Sequence, residues 1–298
     1  MSIFNLLLVQ KLSSSSNIGG DFGEVVPPSF GGGSSNNNEL PDWDDDSPII
    51  ASGTGNSSNC VWELTEKGTL RWSMVNKDLT SGQNALAGWD SSVLSIIGLD
   101  YQAIAPKIRQ AYFEDGFLKN ELCFAVNCER VRFSNTLTRR PTIAMLTSLD
   151  ELDMSGELWT VLPDYVCDRF IALKKVILNQ LVVTIPRNAF SNCYSLKEIN
   201  LENITTFGQA CFQESFSLDK DIIFNANLTS IGATAFYRTR IKSVKFQNTD
   251  ALPTIANNSF NQCRELTDIY CPWGENEVAN APWGATNATI HYNWVEGE

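Results

Sequence analysis

Asn188-Ala189-Phe190-Ser191-Asn192-Cys193-Tyr194-Ser195-Leu196-Lys197-Glu198-Ile199-Asn200-Leu201 is a phrase that this chain repeats. It returns as Thr234-Ala235-Phe236 followed by Ile241-Lys242-Ser243-Val244-Lys245-Phe246. It returns again as Asn258-Ser259-Phe260-Asn261-Gln262-Cys263 followed by Leu266-Thr267-Asp268-Ile269-Tyr270-Cys271. Leucine-type anchors at Leu149, Leu173, Leu196, Leu218, Ile241 and Leu266 lie 24, 23, 22, 23 and 25 residues apart. A period of this length marks a solenoid, in which no unit can bury its apolar face alone and each must stack on its neighbours.

Each unit carries further markers in phase with its anchor. Ile143, Cys167, Phe190, Phe212 and Phe260 stand six before it, and Phe236 five before. Leu152, Val176, Ile199, Val244 and Ile269 follow three after, and Met154, Leu178, Leu201, Ile223, Phe246 and Cys271 five after. Positions three and five share one side of a strand, because side chains alternate with period two. A Thr or Val, once replaced by Ser, followed by a core residue precedes each aromatic: Val161-Leu162, Thr184-Ile185, Thr206-Phe207, Ser230-Ile231 and Thr254-Ile255. Gly208 and Gly232 follow two of these pairs, where a corner of positive φ would suit glycine. The third unit breaks phase. Asp221 falls on an aliphatic position, and Ile222 and Phe224 point to a one-residue bulge.

These residues resemble the BspA-like leucine-rich repeats. Ile231-Gly232-Ala233-Thr234-Ala235-Phe236 is similar to the opening of that family's unit, and Ser191-Asn192-Cys193-Tyr194-Ser195-Leu196-Lys197-Glu198-Ile199 to its middle. The likeness is specific over residues 181–271 and weaker over 143–180. Cys60-Val61-Trp62-Glu63-Leu64 and Gly68-Thr69-Leu70 resemble the strand pair that often precedes such repeats. The resemblance implies a leucine-rich-repeat solenoid: a short curved stack of parallel β-strands with irregular N- and C-terminal caps, here with an extended N-terminal arm. It implies binding or attachment and no particular ligand.

The 298 residues, 43% of them hydrophobic, suffice for a sizeable core. Formal net charge is −12. Residues 1–59 hold Lys11 against seven acidic residues, so 1 − 7 = −6 of that charge lies in the first fifth of the chain. Nucleic acid demands a basic footprint, and anionic membrane surfaces attract basic segments; neither fits this balance. Ile3-Phe4-Asn5-Leu6-Leu7-Leu8-Val9 lacks the preceding positive charge and following small residues of a secretion signal, and is too short to span a bilayer.

Four regions follow. Residues 1–59 read as an extended acidic arm rich in Gly, Ser and Asn. Alone in water it could not offset its ordering entropy. The plain reading is a disordered tether; the sharper one, favoured here, is an arm that orders against neighbouring subunits, with Ile3, Phe4, Leu6, Leu7, Leu8 and Val9 as an apolar plug. Residues 60–142 read as an α+β cap: a hairpin of Val61–Thr65 and Thr69–Ser73 about Glu66-Lys67-Gly68, a short helix between Asp90 and Gly98, a second from Pro106 to Glu114, and strands at Phe124–Val126 and Arg130–Phe133. Residues 143–271 form six repeats. Residues 272–298 form a C-terminal cap rich in tryptophan, with a last strand in Thr289–Trp294. An aromatic sugar platform is the competing reading of its tryptophans.

Catalytic chemistry finds little support. The one histidine, His291, lies in an expected strand, with no nucleophile elbow or papain-type cysteine context in the sequence. No phosphate-binding glycine motif occurs. Asp42-Trp43-Asp44-Asp45-Asp46-Ser47 offers oxygen ligands without EF-hand spacing and reads as a solvated acidic linker. No metal and no cofactor is expected. Cys167, Cys193, Cys211, Cys263 and Cys271 are expected as buried reduced thiols. Cys123 and Cys128 are the candidates for a bridge, with Cys60 as a third party. Sequons at Asn56, Asn203, Asn227, Asn257 and Asn287 read as products of Asn- and Thr-rich turns.

The candidate binding surface is the set of outward positions on the repeat strands: Glu151, Asp153, Lys175, Ile177, Glu198, Asn200, Ser243, Lys245, Asp268 and Tyr270, with Ile223 or a neighbour from the bulged unit. Six strands at strand spacing span roughly 24 Å, suited to a protein patch or a short oligosaccharide. The functional expectation is a non-enzymatic recognition protein, foremost a bacteriophage virion component docked by its arm. The alternatives are a bacterial cell-surface adhesin and a soluble intracellular scaffold.

Overall fold

The computed structural model describes residues 43–54, 60–74, 85–86, 107–118, 128–139, 148–156, 159–248, 251–275 and 277–295. The plug at Ile3–Val9, the short helix expected between Asp90 and Gly98, the strand at Phe124–Val126 and Cys123 lie outside these residues. The strands are β1 (Ile49–Thr54), β2 (Cys60–Thr65), β3 (Thr69–Met74), β4 (Ala85–Leu86), β5 (Gln110–Leu118), β6 (Arg130–Arg139), β7 (Glu151–Met154), β8 (Lys175–Leu178) and β9 (Thr184–Ile185). They continue as β10 (Glu198–Ile199), β11 (Thr206–Phe207), β12 (Ile222–Phe224), β13 (Ser230–Ile231), β14 (Ser243–Phe246), β15 (Thr254–Ile255), β16 (Asp268–Tyr270) and β17 (Thr289–His291).

They assemble as coils. A front ladder runs β3-β5-β6-β7-β8-β10, all parallel, and the antiparallel hairpin β1-β2-β3 precedes it. A second parallel stretch, β12-β14-β16-β17, carries the front onward. The two-residue strands β9, β11, β13 and β15 form a separate parallel side sheet. The expected alternation holds along the front: Val176 and Leu178 point in while Lys175 and Ile177 point out, and Val244 and Phe246 point in while Ser243 and Lys245 point out.

The helix expected from Pro106 to Glu114 is not formed; from Gln110 the chain is β5, paired with β3 and β6. A helix of that length is marginal in water, whereas the ladder satisfies the same backbone groups at once. Arg109 N–H donates to Gly68 O (2.9 Å), and Glu129 N–H to Arg109 O (2.7 Å). The series continues through Asp150 N–H to Glu129 O (2.8 Å), Lys174 N–H to Asp150 O (2.7 Å) and Lys197 N–H to Lys174 O (2.9 Å). Buried Ile108 and Cys128 take the place of anchors, with Ala111 and Val131 three residues on. The parallel front therefore starts well before residue 143. Cys128 is a free buried thiol whose Sγ lies 3.3 Å from Arg130 O, so the bridge considered for it is not formed.

The irregular third unit breaks the front. Its inward residues are Ile222 and Phe224, paired with Val244 and Phe246, so the strand starts one residue late and β12 does not join β10. Side chains satisfy the groups at the break. Lys220 Nζ donates to Ile199 O (3.0 Å), and the Asn200 amide both accepts from Leu178 N–H (2.7 Å) and donates to Leu178 O (3.1 Å).

Rings stack through the core from coil to coil. Phe190–Phe212, Phe212–Phe236 and Phe236–Phe260 have centroids 5.5, 5.5 and 5.4 Å apart and planes within 16° of parallel. The stack exists because one aromatic per coil falls at one phase. Trp273 and Trp283 are buried against Phe246, at 5.1 and 5.7 Å. They close the last coil, which disposes of a sugar platform built on these two rings.

Gly208 and Gly232 are not positive-φ corners; the described glycines with that geometry are Gly68 and Gly284. The two glycines answer to close stacking. A Cβ on Gly208 would lie 2.7 Å from the Pro186 backbone carbon, and one on Gly232 would lie 2.7 Å from the Gln209 nitrogen. Among the left-handed corners are four pairs: Tyr165 and Arg169, Asn188 and Asn192, Ala210 and Glu214, Thr234 and Arg238. Each pair flanks its coil's buried Cys or Phe.

The expected cysteine burial is found. Cys167, Cys193, Cys211, Cys263 and Cys271 are free and buried. Burial pushes the thiols of Cys263 and Cys271 up to about 11 and that of Cys128 to about 12.

Candidate functional site

Outward side chains of the front ladder form two rows. One pairs Thr69, Gln110, Arg130, Glu151, Lys175 and Glu198 across successive strands. The other pairs Arg71, Tyr112, Arg132, Asp153 and Ile177. Beyond the break the rows resume as Ser243, Asp268 and Thr289, and as Ile223, Lys245, Tyr270 and His291. Parallel register places these side chains about 4.8 Å apart on a stiff support.

The N-terminal half is covered. The Gln110 amide donates to Thr69 Oγ1 (2.8 Å), and Arg130 Nε donates to Gln110 Oε1 (3.0 Å). Over these lies Trp43, with the guanidinium carbons of Arg130 and Arg132 at 4.1 and 4.5 Å from the ring centroid and Tyr112 at 6.2 Å. The acidic run is thus no solvated linker where the structure describes it. Asp45 is buried and accepts from Thr65 Oγ1 (2.5 Å) and Thr69 Oγ1 (2.6 Å). Burial acts to raise the Asp45 pKa, but these hydroxyl bonds and those from Ser47 outweigh it and hold the carboxyl well below the usual carboxylate range.

Two of the expected binding residues have partners within the chain. Asp153 is buried beneath Arg132, whose Nε lies 2.7 Å from Oδ2, and it also accepts from Ser155 Oγ (2.6 Å). Asn200 is occupied by the Leu178 backbone at the break. Lys175 Nζ lies 3.8 Å from Glu151 Oε1, both half-buried, and Glu198 is exposed. Ile177 is half-buried and Ile223 is 49% exposed, so the middle of the front presents two isoleucines among charges.

The C-terminal half stays half-exposed and places Lys245, Asp268 and Tyr270 on neighbouring strands. The Tyr270 and His291 rings stack at 4.4 Å, and His291 Nε2 lies 2.8 Å from Asp268 Oδ1. That bond, with one from Thr267 Oγ1, lowers the Asp268 pKa. Trp294 leans on Tyr270 (5.6 Å, planes at 57°), and Lys245 Nζ sits 5.5 and 5.9 Å from those two rings. Sequence reasoning left Trp43, Asp45, Tyr112, Arg130, Arg132 and Trp294 out of this face. The signal for the arginines was available in the anchor phase: Arg130 and Arg132 flank Val131 as Glu151 and Asp153 flank Leu152.

Among the described residues no group of three or more His, Cys, Asp and Glu side chains could hold a metal ion, and no helix is long and apolar enough to cross a membrane.

Residues 160–281 match the family model of the BspA type leucine rich repeat region in six copies. A leucine-rich repeat protein from Bacteroides ovatus is similar in structure, with TM-score 0.43 and 19% identity over 62% of this chain and 54% of that one. The match thus spans about half the length of that relative. A leucine-rich repeat protein from Eubacterium ventriosum aligns over 74% of this chain and 78% of its own at 16% identity and TM-score 0.30. A leucine rich cell surface protein from Faecalibacterium prausnitzii aligns over 84% of this chain and 96% of its own at 14% identity and TM-score 0.30. No curated protein matches the sequence. Repeats of this kind generally mediate protein binding, and with the stacked coils described above the chain is a leucine-rich-repeat solenoid whose residues 160–281 are BspA-type repeats.

Proposed function

We propose that this chain is a non-enzymatic recognition protein that binds a partner protein through the outward front of its parallel ladder. The observation that carries this reading is the open part of that front. Ile223 is 49% exposed between the half-buried Ile177 and Lys245, with Tyr270 beyond, all on strands fixed by stacking, and Trp294 follows the last strand. Half-buried aromatic and aliphatic anchors within a rim of mixed charge are the composition of a protein-binding patch. The setting we infer is a bacteriophage particle, with residues preceding the folded strap at Trp43 docking the chain on neighbouring subunits. The acidic Gly/Ser/Asn composition of that segment supports the reading, since such a segment orders only when another surface supplies the burial.

Antibody labelling of fractionated particles, envelopes and cytosol from the native source tests the setting. Label at regular spacing on particles is expected. Label on envelopes would replace it with a surface adhesin, and label in the cytosol with a scaffold. Deleting residues 1–42, which leaves the strap and β1 in place, should abolish incorporation while preserving the solenoid. Normal incorporation without them would sink the docking mechanism.

A further inference from the structure

Trp43–Ser47 lies across the front of β3, β5 and β6, and the surface beneath contacts it group by group. Thr65 and Thr69 hold the Asp45 carboxylate. Arg71 Nη2 donates to Trp43 O (3.3 Å) and to Asp45 O. The Arg130 and Arg132 guanidiniums lie over the Trp43 ring. Arg71, Arg130 and Arg132 thus face a segment that carries Asp44, Asp45 and Asp46. A planar cation on an indole face and a buried carboxylate between two hydroxyls together select a tryptophan followed two residues later by an aspartate.

The hold on this segment is mainly polar. In the strand that follows it, Ile49 and Ile50 are 53% and 46% exposed, and Ala51 is the residue that packs on the core. A segment held by hydrogen bonds and cation–π contacts can leave without opening an aliphatic core. Exchange between copies re-forms every lost contact, which makes such swaps low in cost.

We propose that the front of β3, β5 and β6 is a peptide-recognition site for an acidic, tryptophan-bearing segment, filled in the single chain by its own Trp43–Ser47 and open to the same segment of a second copy. This goes beyond the proposed function and does not depend on it, because the site, the occupant and the test concern this chain alone.

The probe is a fluorescein-labelled peptide of residues 41–54, titrated by anisotropy against the full-length chain. The wild-type chain should bind it weakly, since its own segment competes at an effective concentration in the millimolar range. The chain carrying Trp43→Ala and Asp45→Ala should bind at least tenfold more tightly, and adding Arg130→Ala should weaken that binding at least fivefold. If the double variant loses the wild-type circular dichroism spectrum, Trp43→Ala alone serves in its place. Equal binding to wild type and variant, or indifference to Arg130→Ala, overturns the site. Sedimentation without peptide tests the second copy: wild type should dimerise with rising concentration, and the double variant should not. A double variant that dimerises as wild type does, or a wild type that stays monomeric throughout, overturns that occupant.

Discussion

The two halves of the front ladder meet the same requirement by different means. From β3 to β6 the outward rows are polar, and the chain covers them with Trp43 and Asp45. From β12 to β17 the rows are short, and Phe224, Phe246, Trp273 and Trp283 support them from within. One apolar core runs beneath both halves; the first adds charge-assisted hydrogen bonds over its front, and the second a denser set of packed rings behind it. The half built on aromatics can leave its outward side chains half-exposed, and it is the half we assign to a partner.

The contrast can be broken most severely from the core. Phe236→Ala removes a fully buried ring stacked on both neighbours and should cost about 3–5 kcal/mol in denaturant unfolding. A cost below about 1 kcal/mol would mean that the stack is not what joins the coils. Asp45→Ala strands two buried threonine hydroxyls and should cost about 1.5–3 kcal/mol. That loss should appear as local opening near β1–β3, read by hydrogen exchange, with the C-terminal coils unaffected. The same carboxylate gives the N-terminal half a pH dependence. Its folded pKa lies below the unfolded value of about 4, so its stabilisation is complete above that pH and is lost as pH falls through the folded value. Trp43 fluorescence, isolated by comparison with Trp43→Ala, should stay constant from neutral pH down to about 4 and report release only in stronger acid. A transition centred above pH 5 would contradict the assignment.

Gly232→Ala forces a Cβ to within 2.7 Å of backbone and should cost about 1–3 kcal/mol by overpacking between coils. Smallest of all, Ile223→Gln on the exposed front should change stability by less than about 0.5 kcal/mol. A larger loss would make Ile223 part of the core rather than of the binding face.

The fold was legible where each coil repeats an aromatic, an anchor and an alternating strand. Phe190, Leu196 and Ile199 sufficed to place a coil, and Asp221 announced the break. The earlier coils were hidden by their substitutions. Ile108 and Cys128 stand 20 and 21 residues before the next anchor, and Ala111 replaces the usual aliphatic. Local signals such as Pro106 then favoured a helix that ladder pairing overrode. Glycine was read through φ, but Gly208 and Gly232 are set by the distance between stacked coils, which no single unit reveals. The binding rows were legible by alternation, yet alternation says only which way a side chain leaves the strand. It could not show that Arg132 would bury Asp153, that Asn200 would replace a missing ladder bond, or that Trp43 would return across the face from a distant part of the sequence.

The most direct test of the binding face is hydroxyl-radical footprinting of the chain, free and within its native assembly, read residue by residue. The account predicts protection in the assembly at Ile223, Tyr270 and Trp294, with Thr184, Thr206 and Thr254 on the side sheet unchanged. Protection confined to the side sheet, with Ile223 and Tyr270 as reactive as in the free chain, would contradict it.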